Sequence, residues 1–160
     1  RLSSSPTTRR FSTASIACIF SGAAALFPKS EAPQLALGQA LVRHVHAMMD
    51  VSDGLLIDAQ RMAEASECAI TLMLETFPLS AALLAVRPDV VDTRLAAATA
   101  GDDYQLLFAA DPGDASAIRE IGAGLGIAIA PVGHAGVGEG ITLIHRAQRI
   151  ALPDRLGFLH

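Results

Sequence analysis

The chain has 160 residues, about one domain, and 51% of them are hydrophobic, enough for a packed core and too many for a disordered chain. Two cysteines, Cys18 and Cys68, are too few for a disulfide-dense scaffold or a four-cysteine zinc site. A net charge of −4 speaks against non-specific nucleic-acid binding. The charge is unevenly placed. Residues 1–30 carry Arg1, Arg9, Arg10 and Lys29 with no acid, whereas residues 31–160 hold the other 8 basic groups and all 16 acids. An acidic domain of this kind suits a multivalent cation, or a substrate bridged by one.

In chain order, residues 1–13 are rich in Ser, Thr and Arg, and residues 14–27 are nearly all apolar. The pair fits a crude signal-peptide template, the remnant of an upstream domain, or an ordinary buried element. The apolar run is too short for a membrane-spanning helix. The chain opens on Arg1, which points to a fragment or a processed product. Pro28 to Pro33 form a breaker-rich join, placing a boundary near residue 30: a leader or remnant over 1–29 and one domain over 30–160.

After the join, Leu35, Leu37, Ala40, Leu41, Val45 and Met48 recur at near-helical spacing and predict a helix over about 33–46. Met48–Val51 reads as a short strand, and Ser52 or Asp53 as the N-cap of the next helix. That helix has Leu55, Leu56, Ala59, Met62 and Ala63 as its apolar face. Residues 68–75 read as a buried strand, Pro78–Val86 as a short helix, and Val90–Thr99 as another that ends at Gly101. Tyr104–Ala110 is the clearest strand. Residues 111–114 form a turn, 115–125 a helix closed by Gly126, and 127–132 a strand. Gly133 to Gly140 predicts a loop or hairpin, and Ile141–His145 the last strand. This alternation predicts an α/β (α+β) fold with a mixed sheet covered by helices.

Two acidic clusters stand at junctions of buried elements. In Asp50-Val51-Ser52-Asp53-Gly54, two carboxylates straddle a strand-to-helix turn, where a helix start offers N–H groups and a positive dipole end. Gly54 lets the backbone come close to a ligand. Hard cations such as Mg²⁺ take one or two carboxylates plus phosphate and water. The plainer account is a cap at Asp53 and a solvated Asp50. Gly101-Asp102-Asp103-Tyr104 precedes the next strand; its plainer account is a turn open to water.

The order LALGQAL (35–41), MMDVSDGLLIDAQRMAEAS (48–66), PLS (78–80), GDDYQLLF (101–108) and GFLH (157–160) resembles the carboxy-terminal domain of thiamine-monophosphate kinase. That domain belongs to the aminoimidazole ribonucleotide synthetase-like superfamily. The resemblance covers roughly residues 28–160. It implies transfer of the γ-phosphoryl group of ATP to thiamine phosphate, with metal ions offsetting the repulsion of two anions. By resemblance, Asp50 and Asp53 are Mg²⁺ ligands, Ser52 contacts ATP, Asp102 holds the substrate and Phe158 packs on its ring. No protein general base is implied, because the attacking phosphate oxygen is already an anion. The family also has an amino-terminal domain, which supplies most metal-binding aspartates and the interface of a homodimer, and which this sequence lacks. Gln105 stands where the family usually has Glu. The resemblance implies a cytoplasmic enzyme with no nucleic-acid or membrane partner. Two other readings stay open: a degenerate, non-catalytic nucleotide- or substrate-binding module, and a relative acting on another ATP-activated small molecule.

The remaining features carry no site. His44 and His46, two apart on the predicted helix, point to nearly opposite sides. His134 and His145 lack partners at metal spacing. Gly122-x-Gly124-x-Gly126 ends a helix and so cannot serve as a dinucleotide loop. Cys68 reads as an inert core thiol, and Met48, Met49, Met62 and Met73 as core filler.

Overall fold

A computed structural model describes residues 14–20, 31–101 and 105–158. The leader over 1–13 and the join at residues 28–30 lie outside the described residues. Described in chain order, the elements are β1 (Ala14–Phe20), α1 (Glu31–Leu41), β2 (Val45–Val51), α2 (Leu55–Ala65), β3 (Ala69–Met73), α3 (Ala81–Val86), α4 (Val91–Thr99), β4 (Gln105–Ala110), α5 (Ala115–Gly124), β5 (Ala128–Gly136), β6 (Gly140–His145) and β7 (Gln148–Ile150). The expected α/β class with a mixed sheet covered by helices is what these elements form.

The strands make one sheet in the order β2-β4-β1-β5-β3-β6-β7. Neighbours run antiparallel except β3 and β6, which are parallel from Ala69 opposite Gly140 to Met73 opposite Ile144. The boundary drawn near residue 30 separates β1 from the rest in sequence but not in space. Ala14–Phe20 is a central strand, paired with β4 on one side and β5 on the other. Within the apolar stretch 14–27, residues 14–20 form a strand, and 21–27 lie outside the described residues.

Period-two alternation along β4 divides the interior into two cores. Leu107 and Ala109 face the core covered by α2 and α4, built from Leu55, Leu56, Ala59, Met62, Ile70, Leu72 and Ala98 among others. Phe108 and Ala110 face the core under α1 and α5, with Leu37, Leu41, Ile118 and Ile127. Helix α2 forms where its apolar face was expected, and all five residues of that face are buried.

Several boundaries differ from the sequence expectation. Helix α1 stops at Leu41, and Val45 and His46 belong to β2, because pairing with β4 outweighs the helical spacing of Val45 and Met48. The helical argument about His44 and His46 therefore falls. His44 sits in the turn, its Nδ1 3.0 Å from Asp114 Oδ1, and His46 lies on an irregular stretch of strand. Strand β5 runs to Gly136 through the expected loop. A Cβ at Gly133 would lie 2.1 Å from the carbonyl oxygen of Thr71, so glycine is what lets β5 approach β3 there. The expected strand over 68–75 is cut at Met73 by a 3₁₀ turn over Leu74–Thr76. Strand β7 is an addition, so β6 is not the last strand. Met48 is partly exposed rather than core filler.

Candidate functional site

The two-apart rhythm of β2 sends Met49 and Val51 into the core beneath α2. Met48 faces the other way, toward Gly38 of α1, and the exposed Asp50 shares its face. Asp50 stands opposite Leu106 and Val51 opposite Gln105, so the first acidic motif lies beside the start of β4. The chain then turns through Ser52 and Asp53 into α2.

The N-cap of α2 is Gly54, not Ser52 or Asp53, and it makes no side-chain capping bond. A carboxylate from inside the helix instead binds the amides of the turn ahead of that cap. Asp58 is fully buried, and its Oδ2 accepts the N–H groups of Ser52 at 3.0 Å and Asp53 at 3.2 Å. A carboxylate in the first turn of a helix also sits well in its dipole. The Nη1 of Arg61, one turn further on, donates to Asp58 Oδ1 at 2.7 Å and to Asp53 Oδ2 at 2.5 Å. Those two bonds, the Asp53 one foremost, hold the Arg61 guanidinium's pKa above its ordinary value. Asp58 and Arg61 were missed in the sequence. The available signal was position: Asp58 falls three residues after Leu55 and four before Met62, on the apolar stripe.

Two distant segments, 99–101 and 157–158, meet on this turn. The Phe158 N–H donates to the Asp53 carbonyl at 2.8 Å. A Cβ at Gly157 would lie 2.4 Å from that same carbonyl oxygen and from Ile57 Cγ2, so the 157–158 backbone docks too closely for a side chain. A Cβ at Gly101 would lie 3.0 Å from the Ser52 carbonyl oxygen and 3.6 Å from Phe158 Cβ. Gly54, at φ 126°, approaches the Thr99 backbone, where a Cβ would lie 3.1 Å from its carbonyl carbon and oxygen. The approach expected toward a ligand is thus made to the end of α4.

The structure therefore brings Asp50, Ser52, Asp53 and Phe158 to one end of the sheet, with the Phe158 side chain largely exposed there. Asp102 lies outside the described residues; Gly101, its neighbour, sits against Ser52. The buried Gln105 Oε1, opposite Val51, has no hydrogen-bond partner among the described residues. Among the described residues no three His, Cys, Asp or Glu side chains group closely enough to hold a metal. Asp50 and Asp53 are hard oxygen donors, the kind Mg²⁺ takes when phosphate and water complete its shell. On Asp53 a metal has to compete with Arg61. An anion aimed at the turn's amides has to compete with Asp58.

Away from this end, burial pushes the Cys68 thiol up, as an inert core cysteine requires. Gly126, at φ 68°, ends α5. No helix among the described residues is long and apolar enough to cross a membrane.

Residues 20–146 match the family described as AIR synthase related protein, C-terminal domain. The chain is 38% identical over 131 residues to a thiamine-monophosphate kinase of Caulobacter vibrioides, covering 80% of this chain and 37% of that protein. A crystal structure of thiamine-monophosphate kinase from Stenotrophomonas maltophilia K279a superposes with a TM-score of 0.70 at 25% identity, over 81% of this chain and 49% of that one. AaThiL complexed with AMPPCP and TMP has the same fold, with a TM-score of 0.57 at 23% identity over 91% of this chain and 51% of its own. The chain thus spans about half, or less, of the length of these relatives. With one sheet, two helical layers and a family match across most of its length, the chain belongs to the AIR synthase related protein C-terminal domain family, and within it is similar to the thiamine-monophosphate kinases.

Proposed function

We propose that this chain is the carboxy-terminal part of an ATP- and Mg²⁺-dependent kinase that converts thiamine phosphate to thiamine diphosphate. The observation that carries the reading is the meeting of Asp50–Gly54, Gly101 and Gly157-Phe158 on one turn, from motifs far apart in sequence. The similarity to thiamine-monophosphate kinases supports the substrate, and the AMPPCP bound by AaThiL, an ATP analogue, supports the phosphoryl donor.

In this reading Asp50 and Asp53 hold Mg²⁺, Ser52 contacts ATP, Asp102 holds thiamine phosphate and Phe158 packs on its ring. The metal, when bound, offsets the charge of the two phosphates and lets them come into line. The chain's own work is positioning: it fixes the turn, presents the carboxylates and places an aromatic face beside them. No side chain has to remove a proton from the attacking phosphate oxygen. The working enzyme is a cytoplasmic homodimer whose amino-terminal domain supplies further aspartates.

The test joins the chain to the amino-terminal domain of a thiamine-monophosphate kinase and follows thiamine diphosphate formation with ATP and Mg²⁺. Product should form, and Phe158→Ala and Asp102→Asn should raise the KM for thiamine phosphate more than that for ATP. Absence of product from a folded, joined protein refutes the kinase reading. A rise in the two KM values by equal factors points instead to a relative acting on another ATP-activated small molecule.

A second reading for the chain by itself is a module that binds without turning over, which the hold of Arg61 on Asp53 favours. Calorimetry of the chain with ATP–Mg²⁺ and with thiamine phosphate decides it. Heat for either ligand without product supports binding alone, and no heat for either leaves a structural role.

A further inference from the structure

Arg61 and Asp58 belong to none of the roles just given, yet both touch the turn that carries those roles. Asp58 spends one carboxylate oxygen on the amides of Ser52 and Asp53 and the other on Arg61. Its carboxylate is 1% exposed, and it pairs with the guanidinium that also holds Asp53. A buried carboxylate committed in this way fixes the turn's backbone from within, because moving either amide leaves an oxygen without its donor. Arg61 differs. Its side chain is 45% exposed, so it can leave Asp53 for water while its bond to Asp58 persists.

We propose that Asp58 and Arg61 are positioning residues of the Asp50–Gly54 turn: Asp58 fixes the backbone of Ser52 and Asp53, and Arg61 holds the Asp53 carboxylate as an exchangeable counter-ion that a bound divalent cation displaces. The inference rests on the reading of Asp50 and Asp53 as metal ligands. It adds that the metal-free turn is already shaped, and that the cation exchanges with a guanidinium rather than with water alone. It also gives Asp58 a share in the preference for a cation. With its carboxylate on the Ser52 and Asp53 amides, those two donors are closed to a phosphate, which favours an anion reaching this turn through a bridging metal.

Two variants of the full chain test it, with Mn²⁺ as a paramagnetic probe for the Mg²⁺ position and amide exchange as a readout independent of metal and of activity. Arg61→Gln removes the competing charge and should bind Mn²⁺ about tenfold more tightly than the native chain, a modest fraction of the attraction between opposite charges in contact. Asp58→Asn should speed exchange at the Ser52 and Asp53 amides while the Leu72 amide, inside the sheet, keeps its protection. Equal or weaker Mn²⁺ binding by Arg61→Gln overturns the exchange role. Unchanged exchange at Ser52 and Asp53 in Asp58→Asn overturns the positioning role. If neither the native chain nor Arg61→Gln binds Mn²⁺, the metal reading and the exchange fall together, and the amide result still decides Asp58. Because Arg61 is nearly half exposed, its variant remains informative even if Asp58→Asn fails to fold.

Discussion

Replacing Gly54 by Ala sets two costs against the fold at one position. Its φ of 126° with ψ of 149° lies in a region that residues with a Cβ rarely enter, which costs about 1–3 kcal/mol. The added methyl would also lie 3.1 Å from the carbonyl carbon and oxygen of Thr99, a backbone contact that cannot swing aside; overpacking of this kind costs about 1–3 kcal/mol. Together they predict a loss of about 2–6 kcal/mol, a large part of the roughly 5–15 kcal/mol that holds a typical domain. Urea unfolding followed by circular dichroism measures it. With a slope near 2 kcal/mol per molar, a loss of 3 kcal/mol moves the midpoint down by about 1.5 M with the slope unchanged. Gly124→Ala is the internal control. Gly124 ends α5, and a Cβ there meets nothing within 4 Å, so alanine should stabilise by about 0.4–1 kcal/mol through the unfolded chain. A loss below about 0.5 kcal/mol for Gly54→Ala, within the range of an ordinary surface substitution, refutes the reasoning.

Phe108→Ala empties the core under α1 and α5 and should cost about 3–5 kcal/mol by the same unfolding assay; a cost under 1 kcal/mol would mean that this core is not packed as described. The Nη1 of Arg94 lies 3.0, 3.0 and 2.8 Å from the carbonyl oxygens of Leu74, Glu75 and Phe77, so Arg94→Met should cost about 2–4 kcal/mol, and Arg94→Lys should recover only part of it because lysine lacks the fork. The hydrogen bond from Arg94 holds the Asp89 carboxyl below its ordinary range. A lowered folded-state pKa stabilises above the unfolded value and stops doing so as pH falls through the folded one. The stability difference between the native chain and Asp89→Asn should therefore shrink on acidification below about pH 4, and a difference that stays flat down to pH 2 removes this pair from the pH dependence. In a Cys18→Ser background, Cys68 should react with a thiol reagent only as the chain unfolds; fast labelling of the folded chain contradicts its burial.

How legible each part was in the sequence follows from the range of the forces that set it. The buried face of α2 was legible because five apolar side chains repeat at helical spacing within eleven residues. Strand β4 was legible as a strand for a related reason, a run of apolar residues between turn signals. The end of α1 was not, since Leu41, Val45 and Met48 keep helical spacing and only the pairing of β2 with β4, sixty residues away, decides against a helix. The glycines after Val132 read as a loop because their effect is an approach of β5 to β3 that no local pattern encodes. Strand β7, three residues with Gln148 and Arg149 exposed, carries too little hydrophobic signal to be seen before its pairing with β6. At the site, the motif order gave Asp50, Ser52, Asp53 and Phe158, and the structure gathers them. Asp58 was hidden by its chemistry: an acid in the first turn of a helix reads as a surface complement to the dipole until its burial is known.

That hidden residue changes what the Asp50–Gly54 turn is for. Read as sequence, a helix start after two aspartates offers its amides to a phosphate and its carboxylates to a metal. In the folded chain the backbone is largely committed elsewhere: the Ser52 and Asp53 amides to Asp58, the Asp53 carbonyl to Phe158, and the Gly54 Cα to close approach on Thr99. The turn's side chains, more than its backbone, remain for a ligand. Among the described residues Asp50, Asp53 and Asp58 share this end with the guanidinium of Arg61, which binds two of them, an acidic surround that favours a divalent cation over a bare phosphate. A polyphosphate is therefore expected to reach this end as its metal complex. The order of addition tests that directly: ATP without a divalent cation should bind the chain at least tenfold more weakly than ATP with Mg²⁺, a difference of about 1.4 kcal/mol or more, and equal affinity would mean that the nucleotide contacts lie away from the acidic turn.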